Sequence, residues 1–226
     1  ADDVDLLLAS AVNFYAPDVT QLEAEAFYAA KVDEDPARPL SHGLNSRLSR
    51  DEEGHLYEEV FSADGRYSKS INQIIGHLEQ AKNVTENEGQ AVALGLLIAY
   101  YQTGDLNKWD DYNISWVSNT DGDVDYINGF VEVYNDPMGY RGSYETVVQV
   151  KDFDASARMS VVAENVQWFE DNSPIDDSHK KESVVGVSYK IVAAVGEAGD
   201  SSPSTPSGVN LPCLLYSSVA PYHSTF

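Results

Sequence analysis

The stretch "YINGFVEVYNDPMGYRGSYETVVQV", residues 126–150, decides how the second half of this chain folds. Two apolar-rich runs flank a polar turn, and this pattern predicts a β-hairpin with strands over residues 124–134 and 143–151. Asp-Pro begins the turn, and Gly139 and Gly142 are free to adopt positive φ there. The hairpin indicates an antiparallel sheet in this part of the chain.

Glu132 and Tyr134 stand near the end of the first predicted strand. Side chains two residues apart on a strand point the same way, so we expect these two on one face. A carboxylate on an apolar strand is costly to bury unless it is paired. The pair is either an exposed charge with a tyrosine packed beside it, or a site where the carboxylate binds a cation, such as a peptide's ammonium, and the phenol donates to a carbonyl.

Composition narrows the class of protein. The chain has 226 residues, 42% of them hydrophobic and 11% aromatic, which predicts a folded globular protein. Its 14 basic and 37 acidic residues give a net charge of −23, so we expect no nucleic-acid partner, because binding phosphate requires Lys and Arg. We also expect no membrane partner, because no apolar stretch approaches the roughly 20 residues of a membrane span.

Location is predicted from cysteine usage and the first residues. A single cysteine, Cys213, excludes an internal disulfide and fits a reducing compartment. The opening "ADDVDLLLAS" lacks the basic region of a secretory signal. We therefore expect a cytoplasmic protein.

Apolar periodicity predicts helices before and after the hairpin. One or two helices are expected in the first 30 residues, and clearer ones over residues 67–81, 85–104, 105–117 and 155–171. "TENE", residues 85–88, is a candidate capping box for the second of these four helices. A further strand is predicted over residues 183–196, and the Ser/Pro-rich residues 199–212 have the composition of a flexible linker.

The order of these elements predicts an α+β fold, with N-terminal helices followed by a mainly antiparallel sheet. We expect a mainly helical part over residues 1–119, a β-rich part over residues 120–212 and a divergent tail over residues 213–226.

The chain contains no complete catalytic or metal-binding motif. There is no H-E-x-x-H pair, no G-x-S-x-G elbow, no P-loop and no dinucleotide fingerprint. Four acidic residues of "DGDVDYINGFVE", residues 121–132, match a calcium loop, but Tyr126 stands where the sharp turn needs glycine, which favours an acidic strand entry. We expect the five scattered histidines to be surface or packing residues: His42, His55, His77, His179 and His223.

Three stretches in the same order resemble the dipeptidyl peptidase III family, especially its bacterial members. They are "DYINGFVEVYNDPMGYRGSYETVVQVKD" (125–152), "NVQWFEDNSPID" (165–176) and "GDSSPSTPSGVNLP" (199–212). The resemblance continues in register from about Leu44 to Pro212. The tail "CLLYSSVAPYHSTF" resembles nothing in the family.

The resemblance implies a zinc exopeptidase that releases dipeptides from the N-termini of short peptides. Family members have a helical lobe that carries zinc on an H-E-x-x-G-H helix, and a second lobe with a barrel-like β-core that holds the substrate in extended form. This chain resembles the second, substrate-binding lobe. Because both zinc motifs and the catalytic glutamate are absent, we expect no zinc, no catalytic residue and no activity on this chain alone. The implied partners are a short peptide and the missing zinc lobe.

The resemblance also assigns site residues. Glu132 matches the glutamate that binds the substrate's α-amino group, and Tyr134 matches a tyrosine that contacts the backbone near the scissile carbonyl. Asn210 matches an asparagine that fixes the substrate's N-terminal end, so the apparent linker over residues 199–212 becomes a cleft segment. The family's next asparagine is absent, because Cys213 follows Pro212.

Two other interpretations stay open. The chain is alternatively a noncatalytic module that binds an extended peptide at a strand edge by β-addition. It is alternatively a truncated relic of the family. Zinc motifs farther along the parent gene distinguish these two from an enzyme lobe.

Overall fold

The computed structural model describes residues 4–33, 35–184, 190–202, 209–211 and 223–225. These residues form a mixed fold of α-helices and short strands. The helices are α1 (Gln21–Ala29), α2 (Ser68–Lys82), α3 (Glu88–Thr103), α4 (Leu106–Ser118), α5 (Phe153–Glu164) and α6 (Val166–Asp171). The strands are β1 (Ser46–Arg50), β2 (Leu56–Val60), β3 (Val124–Phe130), β4 (Tyr144–Lys151), β5 (Val192–Gly199), β6 (Val209–Leu211) and β7 (His223–Thr225).

Sheets in the described residues are small and antiparallel, with strand orders β1-β2, β3-β4-β5 and β6-β7. The predicted mixed class is therefore confirmed. The barrel-like sheet implied by the resemblance is not found in this part of the chain. A barrel closes only when its first and last strands pair, and the order β3-β4-β5 leaves β3 and β5 at opposite edges. None of the described helices is both long enough and apolar enough to span a bilayer.

Helices α2, α3 and α4 confirm the periodicity argument. In α3 the apolar residues Leu94, Leu97, Ile98 and Tyr101, which share one face at helical spacing, are buried, and the helix ends at Gly104, which adopts a φ of +71°. The predicted capping box at its start is wrong. Asn87 is the N-cap instead, and its side chain accepts a hydrogen bond from the amide of Gln90.

Three other elements differ from expectation. The hairpin of β1 and β2 was not predicted, because buried Ser46 and Ser49 break the apolar alternation that marks a strand. The helix predicted over residues 155–171 is interrupted at Asn165, and Phe169 on its predicted apolar face is exposed. Of the strand predicted over residues 183–196, β5 forms the final part, while residues 185–189 lie outside the described residues.

Two compact units, both discontinuous in sequence, make up the chain. The first unit combines residues 1–113 with residues 128–145, and the second unit combines residues 114–127 with residues 146–226. The division predicted at residues 119/120 and 212/213 stays a prediction. In the first unit, a core of buried apolar residues packs α1 against the β1–β2 hairpin: Leu7, Tyr15, Val19, Ala24, Tyr28 and Leu48.

Helix α1 begins with a capping box that makes the fold sensitive to acid. Glu23 accepts hydrogen bonds from the amide and hydroxyl of Thr20 and from Arg50. The Thr20 amide, then Arg50 and the Thr20 hydroxyl, lower the pKa of Glu23 from 4.5 to about 2. Because the pKa is lower in the folded chain, ionised Glu23 stabilises the fold fully above pH 4.5, and this stabilisation is lost as the pH falls towards about 2.

We therefore expect Glu23→Gln to lower the thermal midpoint at neutral pH and to flatten its decline between pH 4.5 and about 2. Thermal unfolding followed by circular dichroism across this range measures the effect. Glu25→Gln is the matched control, because Glu25 lies on the same helix, is exposed and accepts a hydrogen bond from the side chain of Gln21. Identical acid profiles for Glu23→Gln and the unaltered chain would contradict the prediction.

Candidate functional site

A β-bulge ends the first strand of the hairpin. The amide of Val131 donates to the carbonyl oxygen of Ser143 at 3.0 Å, but the amide of Ser143 donates to the carbonyl oxygen of Glu132 at 2.8 Å. Two residues therefore oppose one, as in a bulge, and the regular ladder stops. β3 ends at Phe130, so the strand predicted to continue to residue 134 is wrong.

Glu132 and Tyr134 are carried by this bulge and by the turn that follows. The Glu132 side chain is half-buried, whereas Tyr134 is 76% exposed at the start of a turn. The argument that strand alternation puts both on one face no longer applies, because the strand stops before them. Their role as a binding pair stays a prediction. The structure places a carboxylate and a phenol in one short segment, residues 131–143, called here the 131–143 loop.

Asp136 organises the 131–143 loop from within. Its carboxylate accepts hydrogen bonds from the amides of Met138 (3.1 Å), Tyr140 (2.9 Å) and Arg141 (2.8 Å). It also accepts from the hydroxyl of Tyr15, at 3.0 Å to Oδ1 and 2.9 Å to Oδ2. With 5% of its surface exposed, Asp136 is a buried acceptor around which the loop's amides converge.

Arg141 anchors the same loop to distant parts of the first unit. Its side chain has no exposed surface (0%). Nη1 donates to the carbonyl oxygen of Gly43 at 2.9 Å, and Nη2 donates to the hydroxyl of Tyr28. The guanidinium carbon lies 4.9 Å from the centre of the Tyr15 ring and 4.8 Å from that of Tyr28. These distances are those of cation–π contacts, which compensate part of the cost of burying the charge.

Tyr28 connects the buried cation to a carboxylate. Its hydroxyl donates to Glu58 at 2.8 Å, and Glu58 also accepts from Ser46 (2.7 Å) and Lys31 (2.9 Å). Burial opposes ionisation of Glu58, but the hydrogen bonds from Lys31, Ser46 and Tyr28 outweigh it and lower the pKa of this carboxyl. Burial raises the pKa of the Tyr28 hydroxyl, so the tyrosine stays a neutral bridge between guanidinium and carboxylate.

Glycines allow the close approach of these segments. Gly43 has a φ of +94°, and a Cβ atom there would lie 1.9 Å from Nη1 of Arg141. Gly139 adopts the positive φ expected of it, at +70°. Gly142 does not, and it is required for a different reason: a Cβ atom would lie 2.8 Å from the carbonyl carbon of Phe130. The amide of Gly142 donates to the carbonyl oxygen of Leu44 at 2.8 Å.

Asn210 lies in β6 and pairs with Ser224 of β7. The composition of residues 199–212 had suggested a linker, but this part of it is a short strand. Residues 203–208 and 212 lie outside the described residues. Asn210 belongs to the second unit and the 131–143 loop to the first, so its membership of the site stays a prediction.

The acidic and histidine side chains are the candidate metal ligands of this chain. In the part of the chain that the structure describes, no three His, Cys, Asp or Glu residues form a group that could hold a metal ion. In the acidic strand entry, Asp123 approaches the ammonium of Lys151 at 3.3 Å, and Asp125 accepts from the indole N–H of Trp116 at 2.9 Å. The described residues therefore do not fit a zinc centre.

Known proteins resemble this chain over most of its length. The model of peptidase family M49 matches residues 39–220, past Pro212 into the predicted tail. Dipeptidyl peptidase 3 of Mus musculus is 25% identical over 215 residues, which cover 93% of this chain and 28% of that protein. Dipeptidyl peptidase 3 of Nematostella vectensis is 24% identical over 148 residues, which cover 66% of this chain and 20% of that protein.

The fold has a solved counterpart. The structure of DPP III from Caldithrix abyssi superimposes with a TM-score of 0.75 at 21% identity and covers 95% of this chain. The chain covers 40% of that structure and between 20% and 30% of the first two curated relatives it matches. The chain therefore spans less than half the length of these relatives.

The contact between Gly43 and Arg141 generates a stability prediction. We expect Gly43→Ala to destabilise the chain more than Gly54→Ala, by roughly 1–3 kcal/mol. Gly54 is the matched control, because its φ of +92° is almost the same but a Cβ atom there would meet nothing within 4 Å. Urea unfolding of the two variants measures the difference. Equal losses of unfolding free energy in the two variants would contradict the close contact between the Arg141 guanidinium and Gly43.

Proposed function

Because the chain belongs to peptidase family M49, the dipeptidyl peptidase III family, we propose that it is the substrate-binding lobe of a zinc-dependent dipeptidyl peptidase. The substrate is a short peptide from whose N-terminus the intact enzyme releases dipeptides. One observation carries the proposal for this chain: the 131–143 loop presents the Glu132 carboxylate and the exposed Tyr134 phenol on a buried scaffold.

Glu132 supplies the negative charge for the peptide's terminal ammonium. A charge-assisted hydrogen bond of this kind contributes about 1.5–3 kcal/mol. Tyr134 donates its hydroxyl to a backbone carbonyl of the substrate. An exopeptidase has to measure a fixed distance from the free N-terminus, and a fixed carboxylate provides the point from which that distance is set.

Zinc ligands are assigned to the part of the family member that this chain does not span. The described residues offer no group for a metal, and the chain covers 40% of a solved relative. The chemistry that zinc would supply in the intact enzyme is a water of lowered pKa and a polarised scissile carbonyl. This chain's residues bind and orient the peptide, and none of them is proposed as catalytic.

A separate feature supports a second lobe as partner. Large apolar side chains on α5 and α6 face solvent, with Trp168 59% and Phe169 50% exposed. Exposed aromatic side chains next to each other are suited to contact with further polypeptide. We assign it to the zinc-carrying lobe. We also propose a cytoplasmic location, since Cys213 as the single cysteine leaves no internal disulfide.

Replacing Glu132 tests the binding proposal. We expect the unaltered chain to bind tetra-alanine with a free N-terminus more tightly than its N-acetylated form, and Glu132→Gln to lose about 10- to 100-fold of affinity for the free peptide only. Isothermal titration calorimetry measures both affinities. Glu53→Gln, an exposed carboxylate in the β1–β2 turn of the same unit, is the control. Equal affinities for the two peptides throughout would reject the ammonium site.

Activity of the isolated chain is a second test. We expect no release of dipeptide from a chromogenic dipeptidyl amide, with or without added Zn²⁺, because the activated water requires a metal group that the described residues lack. An intact family member serves as the positive control for the assay. Turnover that a chelator abolishes would contradict the proposal. Peptide binding without turnover, in a chain whose gene holds no zinc motif, would favour the noncatalytic module.

A further inference from the structure

The buried residues beside the 131–143 loop carry an inference beyond ligand contact. Asp136, Arg141, Tyr15 and Tyr28 form a continuous hydrogen-bonded and ring-stacked group, called here the Arg141 cluster. None of them is assigned to substrate above. Asp136 of this cluster lies two residues after Tyr134 in the sequence.

Stability alone is a weak reason for such a cluster. Replacing buried ionic groups with well-packed apolar residues is often neutral or stabilising, because the desolvation cost disappears. Arg141 is fully buried, and its Nε has no hydrogen-bond partner in the described part of the chain. The arrangement therefore retains a cost that an apolar core would avoid.

The cluster instead supplies directional hydrogen bonds that fix the position of the turn. Asp136 gathers three loop amides and the Tyr15 hydroxyl, and Arg141 reaches Gly43 and Tyr28. Each of these bonds has a preferred geometry, so together they select one position for the turn. The two ends of the loop are joined by the bulge, where Ser143 pairs with the backbone of Val131 and Glu132. The segment with Glu132 and Tyr134 is thus held on both sides.

We propose that Arg141 is a positioning residue for the peptide's ammonium: its guanidinium, held between the rings of Tyr15 and Tyr28, fixes the loop that carries Glu132 and Tyr134. This rests on the proposed function, because it concerns the same site. Arg141 itself is too deeply buried to touch a peptide. It acts through the loop backbone.

The test asks whether folded variants of the cluster lose their preference for a free N-terminus over an acetylated one. Arg141→Lys keeps the charge but removes the planar fork, whereas Tyr15→Phe and Tyr28→Phe keep the rings and each remove one hydroxyl. The affinities for free and N-acetylated tetra-alanine are measured for each variant by calorimetry, below its thermal midpoint. We expect the ratio of the two affinities to fall about 3- to 10-fold in each.

Tyr57→Phe is the matched control, since Tyr57 lies in the same unit, is exposed, and places its hydroxyl 3.5 Å from Glu59. It should leave the ratio unchanged. If the unaltered chain shows no preference for the free N-terminus, the proposed function itself fails. If the unaltered chain shows the preference and folded variants keep the same ratio, only the positioning role fails, and the cluster is structural. Should Arg141→Lys not fold, the two Phe variants decide alone.

Discussion

The buried guanidinium of Arg141 is the constraint on which the first unit depends. It bonds to Gly43 and Tyr28, 98 and 113 residues away along the chain. Contacts so distant in sequence require a large loss of chain entropy, so they form only where burial and bonding outweigh it. This link explains why residues 128–145 belong to the same compact unit as residues 1–113. The hairpin loop is part of the N-terminal fold, although more than 100 residues separate it from Tyr15 in sequence.

In this region a short path of hydrogen bonds joins two cations through a neutral hydroxyl and a carboxylate. Guanidinium, tyrosine hydroxyl, Glu58 carboxylate and Lys31 ammonium follow one another, each in contact with the next. A chain with a net charge of −23 has little attraction of its own for anions, and a cationic peptide terminus is the kind of ligand that its field favours. In the proposed site, the half-buried Glu132 differs from the other acidic residues by its position on the 131–143 loop and not by its charge.

Sequence reasoning predicted the elements whose signal is local. α2, α3 and α4 follow from apolar spacing, and Gly104 marks a helix end. The bulge after β3 could not be predicted, because it depends on how Ser143 pairs with Val131 and Glu132. The turn around Asp136 was recognisable from Asp-Pro, but the carboxylate's partner Tyr15 lies 121 residues away. Buried Ser46 and Ser49 gave no strand signal, because neither residue is apolar; the burial of Ser46 depends on its hydrogen bonds to Gly43 and Glu58.

The Arg141 cluster also bears on how a binding site stays accurate. A ligand site gains affinity when its groups are fixed before binding, because less conformational entropy is then lost. Apolar packing would hold the 131–143 loop with similar stability, but it is not directional, and small shifts of the turn would cost little. Three amides converging on Asp136 and two donors leaving Arg141 permit one backbone path. A displacement of the loop breaks several of these bonds together and leaves a buried guanidinium without its hydrogen-bond acceptors, which costs more free energy than losing apolar contacts. Burial of the cluster therefore has two effects: it costs desolvation free energy, and it restrains the loop that carries Glu132.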